Sequence, residues 1–402
     1  MLKGYTKIEL TDVHTGEKEV VEKHNLVTDN LSNILNYLPL GKSFSDIKNQ
    51  LFPTYEKIMG GIILFSNPLE ENVNNVLLPS GAENPITGYA SNDVNAGNDE
   101  KRGSRNLSES INLDNGYKYV WDFGTAEANG IISAVSLCNA DACKNNPFYN
   151  SMTSIVSFSA NEDIANGFVE YDFDNDVATC ILTIDATTVL VKTYSFGTKK
   201  ISFEGPFLLK SRSTKNIVSP INLVTGGSWR LGDDGYYYYY KYESTTSQYI
   251  ARMKKDTLTI DTTFGLKKIN ANVPNSYADL FCIANGYLYL SYSDFKRVNL
   301  SNVSDITKIG SYEVLGNLFS YKGIVYASSH IFFSDDTSVK IKDNMGYTRV
   351  FVSDTGKYAV AKDKYLILGY LNNNLCTINN LETPVTKTAD KTMKITYTIT
   401  EE

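Results

Sequence analysis

The chain has 402 residues, enough for two or three domains, and its 42% hydrophobic and 21% charged residues are typical of a folded globular protein. Its net charge of -7 and its sparse basic clusters argue against duplex nucleic acid as a partner. The sequence contains no run close to the roughly 20 apolar residues of a membrane span, and it begins without the apolar core of a signal peptide, so we expect cytoplasmic synthesis and no membrane insertion.

The first predicted element is a β-hairpin over residues 5–21, with turn residues at 12–16. Apolar residues at helical spacing then predict a short amphipathic helix over residues 28–38, which Pro39 ends. A weaker helical pattern covers residues 44–51. The 28 Tyr residues, together with many Asn, Thr and Ser, favour strands joined by polar turns, so the chain is expected to be mainly β.

Residues 60–137 alternate strand patterns with polar loops and predict two layers of sheet. Every second residue of 117–123 is aromatic, which predicts a strand that buries its aromatic side. Residues 131–137 are apolar on both faces, as expected of a central strand. The basic cluster formed by Lys101, Arg102 and Arg105 is expected to be a solvated loop.

The five cysteines favour reduced, buried thiols, because they are odd in number and include no Cys-x-x-Cys pair. A disulfide framework or a structural zinc site would need tighter clustering. A bridge between Cys138 and Cys143 is the open alternative. We therefore predict no metal and no cofactor.

Short strands recur from residue 149 to residue 382, at intervals close to the roughly 40 to 50 residues of a four-stranded propeller blade. The first strand of the recurring unit is placed at Gly235, Gly286, Gly323 and Lys364. A second phrase of similar sequence follows two of these starts, at residues 249–253 and 295–300. The pattern predicts a degenerate β-propeller of about five blades. A tandem of β-sandwiches is the alternative.

One acidic segment of this region has the opening spacing of a calcium-binding loop, in Asp172, Asp174 and Asp176. Val177 stands where the turn glycine of such a loop belongs, and Thr183 stands where its bidentate glutamate belongs. An acidic β-turn is therefore the favoured interpretation, and the three aspartates are only a weak metal candidate.

A run of tyrosines follows the turn at residues 232–235. In a strand, alternate side chains share a face. Packing between adjacent blades is the favoured interpretation, and a stacking platform for sugars or for a protein is the functional one. The candidate binding residues are Trp229, Tyr236, Tyr238, Tyr240 and Tyr242.

The last segment, residues 393–399, alternates apolar and polar residues, as a half-buried strand does. Its composition matches the N-terminal region better than the propeller-like units. We expect it to return to the N-terminal domain and pair there, which makes the propeller an insertion. The predicted domains are 1–148, 149–382 and 383–402, and the first of these is expected to be sandwich-like.

Three phrases of the sequence resemble the tail or baseplate proteins of phages, prophages and phage-tail-like bacteriocins of Gram-positive, clostridia-like hosts. They lie at residues 8–28, 119–132 and 384–397, and include Tyr-Val-Trp-Asp-Phe-Gly-Thr-Ala-Glu-Ala-Asn-Gly. The resemblance covers the N-terminal part and the extreme C-terminus, and it does not extend to the middle of the chain.

The resemblance implies a structural component of a virion tail or tail-like particle. Residues 1–148 and 383–402 would then dock to other tail proteins, and residues 149–382 would contact a host cell-surface protein or glycan. A homotrimer is expected by analogy. A purely architectural baseplate subunit is the alternative.

Catalytic signatures are scarce in the sequence. Only His14, His24 and His330 could serve as the base of a nucleophilic triad, and none lies in a recognisable motif. We therefore predict that the chain is not an enzyme and name no catalytic residue. A propeller glycosidase is the remaining alternative, because two carboxylates from distant strands can form a site that no spacing reveals.

Overall fold

The computed structural model describes most of the chain as strands. The described residues are 2–29, 31, 59–81, 83–139, 143, 147, 152–196, 207–273, 281–291, 294–312, 317–341, 349–353, 356–371 and 375–401. The helix predicted over residues 28–38 lies outside them except for Thr28, Asp29 and Leu31, and the helical pattern at 44–51 lies wholly outside them. Within the described residues, no helix is long and apolar enough to cross a membrane.

The chain divides into two compact units, with unit 1 formed by Met1–Thr153 and Tyr370–Glu402 and unit 2 by Ser154–Gly369. Strands are numbered in chain order over the whole chain. Those of unit 1 are β1 Leu2–Asp12, β2 Lys18–Val27, β3 Met59–Phe65, β4 Ile86–Ala90, β5 Ser104–Arg105, β6 Ile111–Leu113, β7 Gly116–Phe123, β8 Gly130–Asn139, β30 Thr377–Lys387 and β31 Lys391–Glu401.

Unit 1 is one sheet built from both ends of the chain. Its strand order is β4-β3-β8-β30-β2-β1-β31-β7-β5, with β6 paired to β7. The last strand, β31, lies between β1 and β7 and is antiparallel to both. The prediction that the C-terminal strand returns to the N-terminal sheet is therefore confirmed. The return begins at Tyr370 rather than at residue 383, because β30 also pairs with β2 and β8.

The two halves of this sheet pack over a shared core, which confirms the predicted layering. The aromatic face of β7 is buried, and the Trp121 indole N–H donates to the carbonyl oxygens of Gly60 and Ser91 at 3.1 and 3.0 Å. Apolar residues of β1, β3, β8 and β31 complete the same core. Hydrophobic burial on one face of each strand thus holds the two chain ends together.

Two of the three residues of the basic cluster are buried, so for Arg102 and Arg105 the predicted solvated loop is wrong, whereas Lys101 is exposed as expected. Arg102 is 7% exposed and forms an ion pair with Asp93, and Arg105 is 5% exposed. The Arg105 guanidinium lies 4.7 Å from the centre of the Tyr119 ring and 5.0 Å from that of Trp121. A cation can be buried this way because the aromatic faces replace part of its hydration.

Unit 2 consists of five arrays of four or five strands, which we call blades A to E. The outer strands of blades A and E pair with one another, so these two blades form one eight-stranded sheet. Blade A is β10 Phe168–Asp172, β11 Val177–Thr183, β12 Thr188–Phe196 and β13 Phe207–Val218. Blade B is β14 Ser228–Leu231, β15 Tyr236–Ser244, β16 Ser247–Lys254, β17 Thr259–Ile260 and β18 Lys267–Ile269, the last two both pairing with β16. Blade C is β19 Phe281–Ala284, β20 Tyr287–Leu290, β21 Asp294–Asn299 and β22 Ile306–Ser311.

The remaining blades complete a ring. Blade D is β23 Phe319–Tyr321, β24 Ile324–Tyr326, β25 His330–Phe332 and β26 Ser338–Lys340. Blade E is β27 Arg349–Val352, β28 Lys357–Lys362 and β29 Tyr365–Leu371, with β9 Met152–Ser159 as its fourth strand. The first strands contact one another in the closed order β10, β14, β19, β23, β27 and back to β10. This is the predicted propeller-like fold, closed by a blade that combines the first and last strands of the unit.

The strand assigned as the first of each repeat is in fact the second. Gly235, Gly286 and Gly323 have φ angles of 82°, 77° and 75° and end the turn between the first and second strands of blades B, C and D. The fourth start is wrong by one strand, because Lys364 precedes the third strand of blade E and the equivalent glycine is Gly356. The true first strands have only three to five residues and show no pattern in sequence.

Candidate functional site

The turns between the first and second strands of all five blades meet at one end of unit 2. We call these turns the tip ring, and its members are Asn175, Asp176, Asp233, Asp234, Gly235, Asn285, Gly286, Lys322, Gly323 and Gly356. Asp233, Asp234, Asn285 and Lys322 are exposed. The tip ring is therefore a polar surface that carries charged side chains.

Hydrogen bonds join neighbouring tips to one another. The Asn285 backbone N–H donates to Asp233 Oδ2 at 2.7 Å, and the Asn285 side-chain amide donates to the Gly323 carbonyl at 2.8 Å. Asn285 of blade C is thus hydrogen-bonded to blade B on one side and to blade D on the other. Within blade B, the Lys255 backbone N–H donates to the Gly235 carbonyl at 3.1 Å.

A tyrosine and an arginine stack beside the tip of blade B. The Arg252 guanidinium lies 4.1 Å from the Tyr236 ring centre and 4.7 Å from that of Phe264. Its Nε donates to Asp261 Oδ2 at 2.8 Å. Partial burial raises the pKa of Asp261, but three hydrogen-bond donors outweigh it, so the pKa is lowered. The donors are the backbone N–H groups of Phe264 and Thr263 and the Arg252 guanidinium.

Blade C repeats the arrangement. The Arg297 guanidinium lies 4.8 Å from the Tyr287 ring centre, and its Nη1 donates to Asp336 at 2.7 Å. Tyr287 follows its tip glycine directly, as Tyr236 follows Gly235. We call these two units, Tyr236 with Arg252 and Tyr287 with Arg297, the Tyr-Arg pairs. All four side chains are half-buried, so part of each ring and guanidinium faces solvent.

The structure separates the aromatic residues that the sequence grouped as binding candidates. Trp229, Tyr238 and Tyr240 are at most 1% exposed, whereas Tyr236 and Tyr242 are half-buried. Tyr238 and Tyr240 pack against blade C, and Trp229 packs on the opposite face against blade A. The three buried residues therefore hold blades together, and only Tyr236 and Tyr242 offer area to a ligand.

A buried carboxylate connects blades A and B. Glu170 is 6% exposed and accepts hydrogen bonds from the Tyr237 hydroxyl and the Lys255 ammonium. Burial, and then the Glu170 charge, raise the pKa of Tyr237 far above its usual range. The tyrosine thus remains a neutral donor, and the contact is structural.

Two buried arginines lie on first strands. Arg349 of blade E donates through Nη2 to Ser228 Oγ of blade B at 3.3 Å, and it is 4% exposed. These blades are not neighbours in the ring, so this side chain reaches across its centre. Arg230 of blade B donates to the Trp229 carbonyl at 3.2 Å and lies 5.3 Å from the Phe281 ring centre.

The three aspartates of the calcium-like segment form the tip of blade A. Asp172 Oδ1 accepts the backbone N–H groups of Asp174 and Asn175, each at 3.0 Å, and Asp172 Oδ2 accepts the Asn175 amide at 2.8 Å. Burial opposes ionisation of Asp172, but these bonds outweigh it and lower its pKa. In the part of the chain that the structure describes, no three acidic, His or Cys groups are placed to hold a metal ion.

Asp176 behaves in the opposite way from Asp172. Burial raises the pKa of Asp176, although the Tyr171 hydroxyl donates to it at 3.0 Å. Two carboxyl groups of one turn therefore have pKa values displaced in opposite directions. His330 lies away from this turn, where its ring packs on Tyr312 and its Nδ1 is 2.9 Å from Ser329 Oγ.

The arginines of the Tyr-Arg pairs were not among the residues that the sequence singled out. A signal for them was present, because Arg252 and Arg297 occupy the two recurring second phrases at residues 249–253 and 295–300. What the sequence did not reveal is that each phrase lies beside the strand that begins with the tip tyrosine. The antiparallel register places Arg252 opposite Tyr238, and Arg297 opposite Tyr289.

No family model and no curated protein matches this chain. Among solved structures, an uncharacterised protein of Listeria monocytogenes is similar with 7% identity and a TM-score of 0.25 over 60% of this chain and 92% of its own. Trypanosoma rangeli sialidase is similar with 11% identity and a TM-score of 0.26 over 65% of this chain and 54% of its own. A prolyl endopeptidase is similar with 10% identity and a TM-score of 0.29 over 94% and 58%. Likenesses this weak leave open whether the chain is an enzyme.

Proposed function

We propose that the chain is a non-enzymatic structural component of a phage tail or tail-like particle, and that unit 2 attaches the particle to the bacterial host surface. The observation that carries the proposal is the insertion of a propeller into a sheet closed by both chain ends. Strand β31 lies between β1 and β7, and everything from β9 to β29 is inserted before it.

This architecture supports a division of labour between the units. A sheet that contains both chain ends can dock to neighbouring tail proteins while the inserted propeller varies independently, because its sequence is not needed for the sheet's register. Together with the resemblance of residues 8–28, 119–132 and 384–397 to tail and baseplate proteins, it favours a receptor-binding role for unit 2.

The tip ring and the Tyr-Arg pairs have the chemistry of a contact surface. Half-buried tyrosine rings give rigid stacking area, and the arginines and exposed carboxylates supply directional hydrogen bonds. Such groups suit a glycan or a polar protein surface. Several copies per particle, a trimer by analogy, would convert modest affinity into firm attachment where geometry permits simultaneous contact.

Binding of fluorescently labelled full-length protein to a panel of Gram-positive cells tests this proposal. We expect binding to at least one strain, and a loss of roughly tenfold or more in the double variant Tyr236→Ala, Tyr287→Ala. The control is Thr214→Ala, which changes an exposed residue of β13 in blade A. If folded wild-type protein binds none of the cells while another tail protein of the same particle does, the attachment role is wrong.

An architectural role within the baseplate is distinguished by removing residues 154–369. Particles that assemble without this segment but no longer adsorb favour attachment. Particles that fail to assemble favour an architectural subunit, since the propeller would then be needed for contacts between tail proteins.

Glycoside hydrolysis is a second candidate, because Asp172 and Asp176 place two carboxyl groups in the tip turn of blade A, and this reaction uses a pair of carboxyl groups. Release of reducing sugar from host wall polysaccharide by the wild type, and its loss in Asp176→Asn, would favour hydrolysis. No release with any wall preparation would dismiss it.

A further inference from the structure

Two cysteine thiols touch one another in unit 1. Cys138 is near the end of the buried strand β8, and Cys143 follows five positions later. Both side chains are completely buried, and their sulfur atoms are 3.7 Å apart. This distance is a van der Waals contact, and a disulfide requires the two sulfurs to approach to roughly 2.05 Å.

The backbone of Cys143 has an unusual conformation that accompanies this contact. Its φ angle is +65°, in the left-handed region that residues other than glycine adopt infrequently. The side chain is nevertheless fully buried rather than turned toward solvent. Local strain of this kind persists when the surrounding structure holds it, and here it holds the thiol of Cys143 against that of Cys138.

We infer that Cys138 and Cys143 are a site of reversible oxidation and form an intramolecular disulfide in an oxidising solution. A small-molecule disulfide serves as the oxidant. One cysteine thiolate attacks a sulfur of the reagent and expels the first small thiolate, and the second cysteine then attacks this mixed disulfide and expels the other. Two protons leave the protein thiols and two electrons pass to the reagent, which ends as two thiols.

The other cysteines provide an internal contrast. Cys180, Cys282 and Cys376 are also buried, and the Cys180 thiol donates to the Ile164 carbonyl at 3.6 Å. Burial and the neighbouring thiol both raise the pKa of Cys138, so the thiolate is scarce at neutral pH. Oxidation of the folded protein is therefore slow at neutral pH and becomes faster as the pH rises.

Peptide mapping of the full-length protein after incubation with oxidised glutathione tests the inference. Both thiols fall in the tryptic peptide 119–144, because no Lys or Arg lies between residues 119 and 143. After denaturation and alkylation, we expect this peptide to be unalkylated and to lack two hydrogen atoms relative to its reduced form. The melting temperature of unit 1 should rise by on the order of 5 °C, as for closure of a short loop.

Matched variants keep the test decisive. Cys180→Ser should leave the change in peptide 119–144 intact, whereas Cys143→Ser should abolish it. The inference is overturned if the wild-type peptide carries two alkyl groups under conditions that fully oxidise the denatured protein. A peptide that retains one bound glutathione also overturns it, because the second thiol would then lie out of reach.

Discussion

Replacing Lys255 with methionine tests whether Glu170 stabilises the contact between blades A and B. The Lys255 ammonium and the Tyr237 hydroxyl both donate to this carboxylate, whose side chain is 9% exposed. The lysine side chain is itself 44% exposed. Replacing the partly solvated ammonium therefore loses little stability through the lysine itself. The main cost is that the buried Glu170 carboxylate loses one of its two hydrogen-bond donors.

The magnitude follows from this asymmetry. Loss of one hydrogen bond to a buried charged group costs about 1.5 to 3 kcal/mol, and a fully uncompensated buried charge costs about 3 to 5 kcal/mol. The Tyr237 donor remains, so we expect Lys255→Met to lower the free energy of unfolding of unit 2 by about 2 to 3 kcal/mol. A surface ion pair, by contrast, would contribute about 0 to 1 kcal/mol.

Glu170→Gln provides the matched comparison. Its amide oxygen still accepts from Tyr237, and the Lys255 ammonium returns to water, so the expected cost is about 1 kcal/mol. The double variant should cost little more than Glu170→Gln alone, because no buried charge is left to lose its partner. The cycle therefore predicts a coupling free energy of about 2 kcal/mol.

Hydrogen exchange at rising urea concentration measures these values in the full chain. Peptides within residues 228–254 report on unit 2 alone, which avoids mixing its unfolding with that of unit 1. The reasoning is refuted if Lys255→Met costs less than about 0.5 kcal/mol, or if the two single costs simply add in the double variant.

Two further predictions concern other charged groups. Arg105→Ala should lower the free energy of unfolding of unit 1 by about 2 to 4 kcal/mol, because the guanidinium is buried over the Tyr119 ring. The control is Lys101→Ala at an exposed position, which should change this free energy by less than about 0.5 kcal/mol. Urea unfolding measures both values. The pKa of Asp261 is lower in the folded protein than in the unfolded protein, where it is about 4. The stability that this carboxylate contributes is therefore complete above about pH 4, and it is lost as the pH falls through the pKa of the folded protein. Asp261→Asn should therefore flatten the loss of unit 2 stability on acidification toward pH 3, and an unchanged slope would contradict this role.

Local periodicity determined much of what the sequence could predict. The alternating aromatic residues of 117–123 and the alternating pattern of 393–399 each identify one buried face, because side-chain direction in a strand repeats every two residues. The same rule placed Tyr238 and Tyr240 on one face. The spacing of Gly235, Gly286 and Gly323 along the chain indicated the repeat, although the strand before each glycine was too short to recognise.

Contacts between distant strands were decided only by the tertiary structure. The fourth strand of blade E comes from residues 152–159, and no local pattern indicates that it completes a sheet with residues 349–371. From the sequence Arg105 is expected to be a solvated cation, but the pairing of β5 with β7 places its guanidinium over the aromatic face of β7. Likewise, the tyrosines form a site only where the antiparallel register brings Arg252 beside Tyr236. The alternation of residues along one strand determines which side chains share a buried face. The partner of each strand and the register of their pairing depend on the rest of the sheet. That pairing and register bring the residues of the candidate site together.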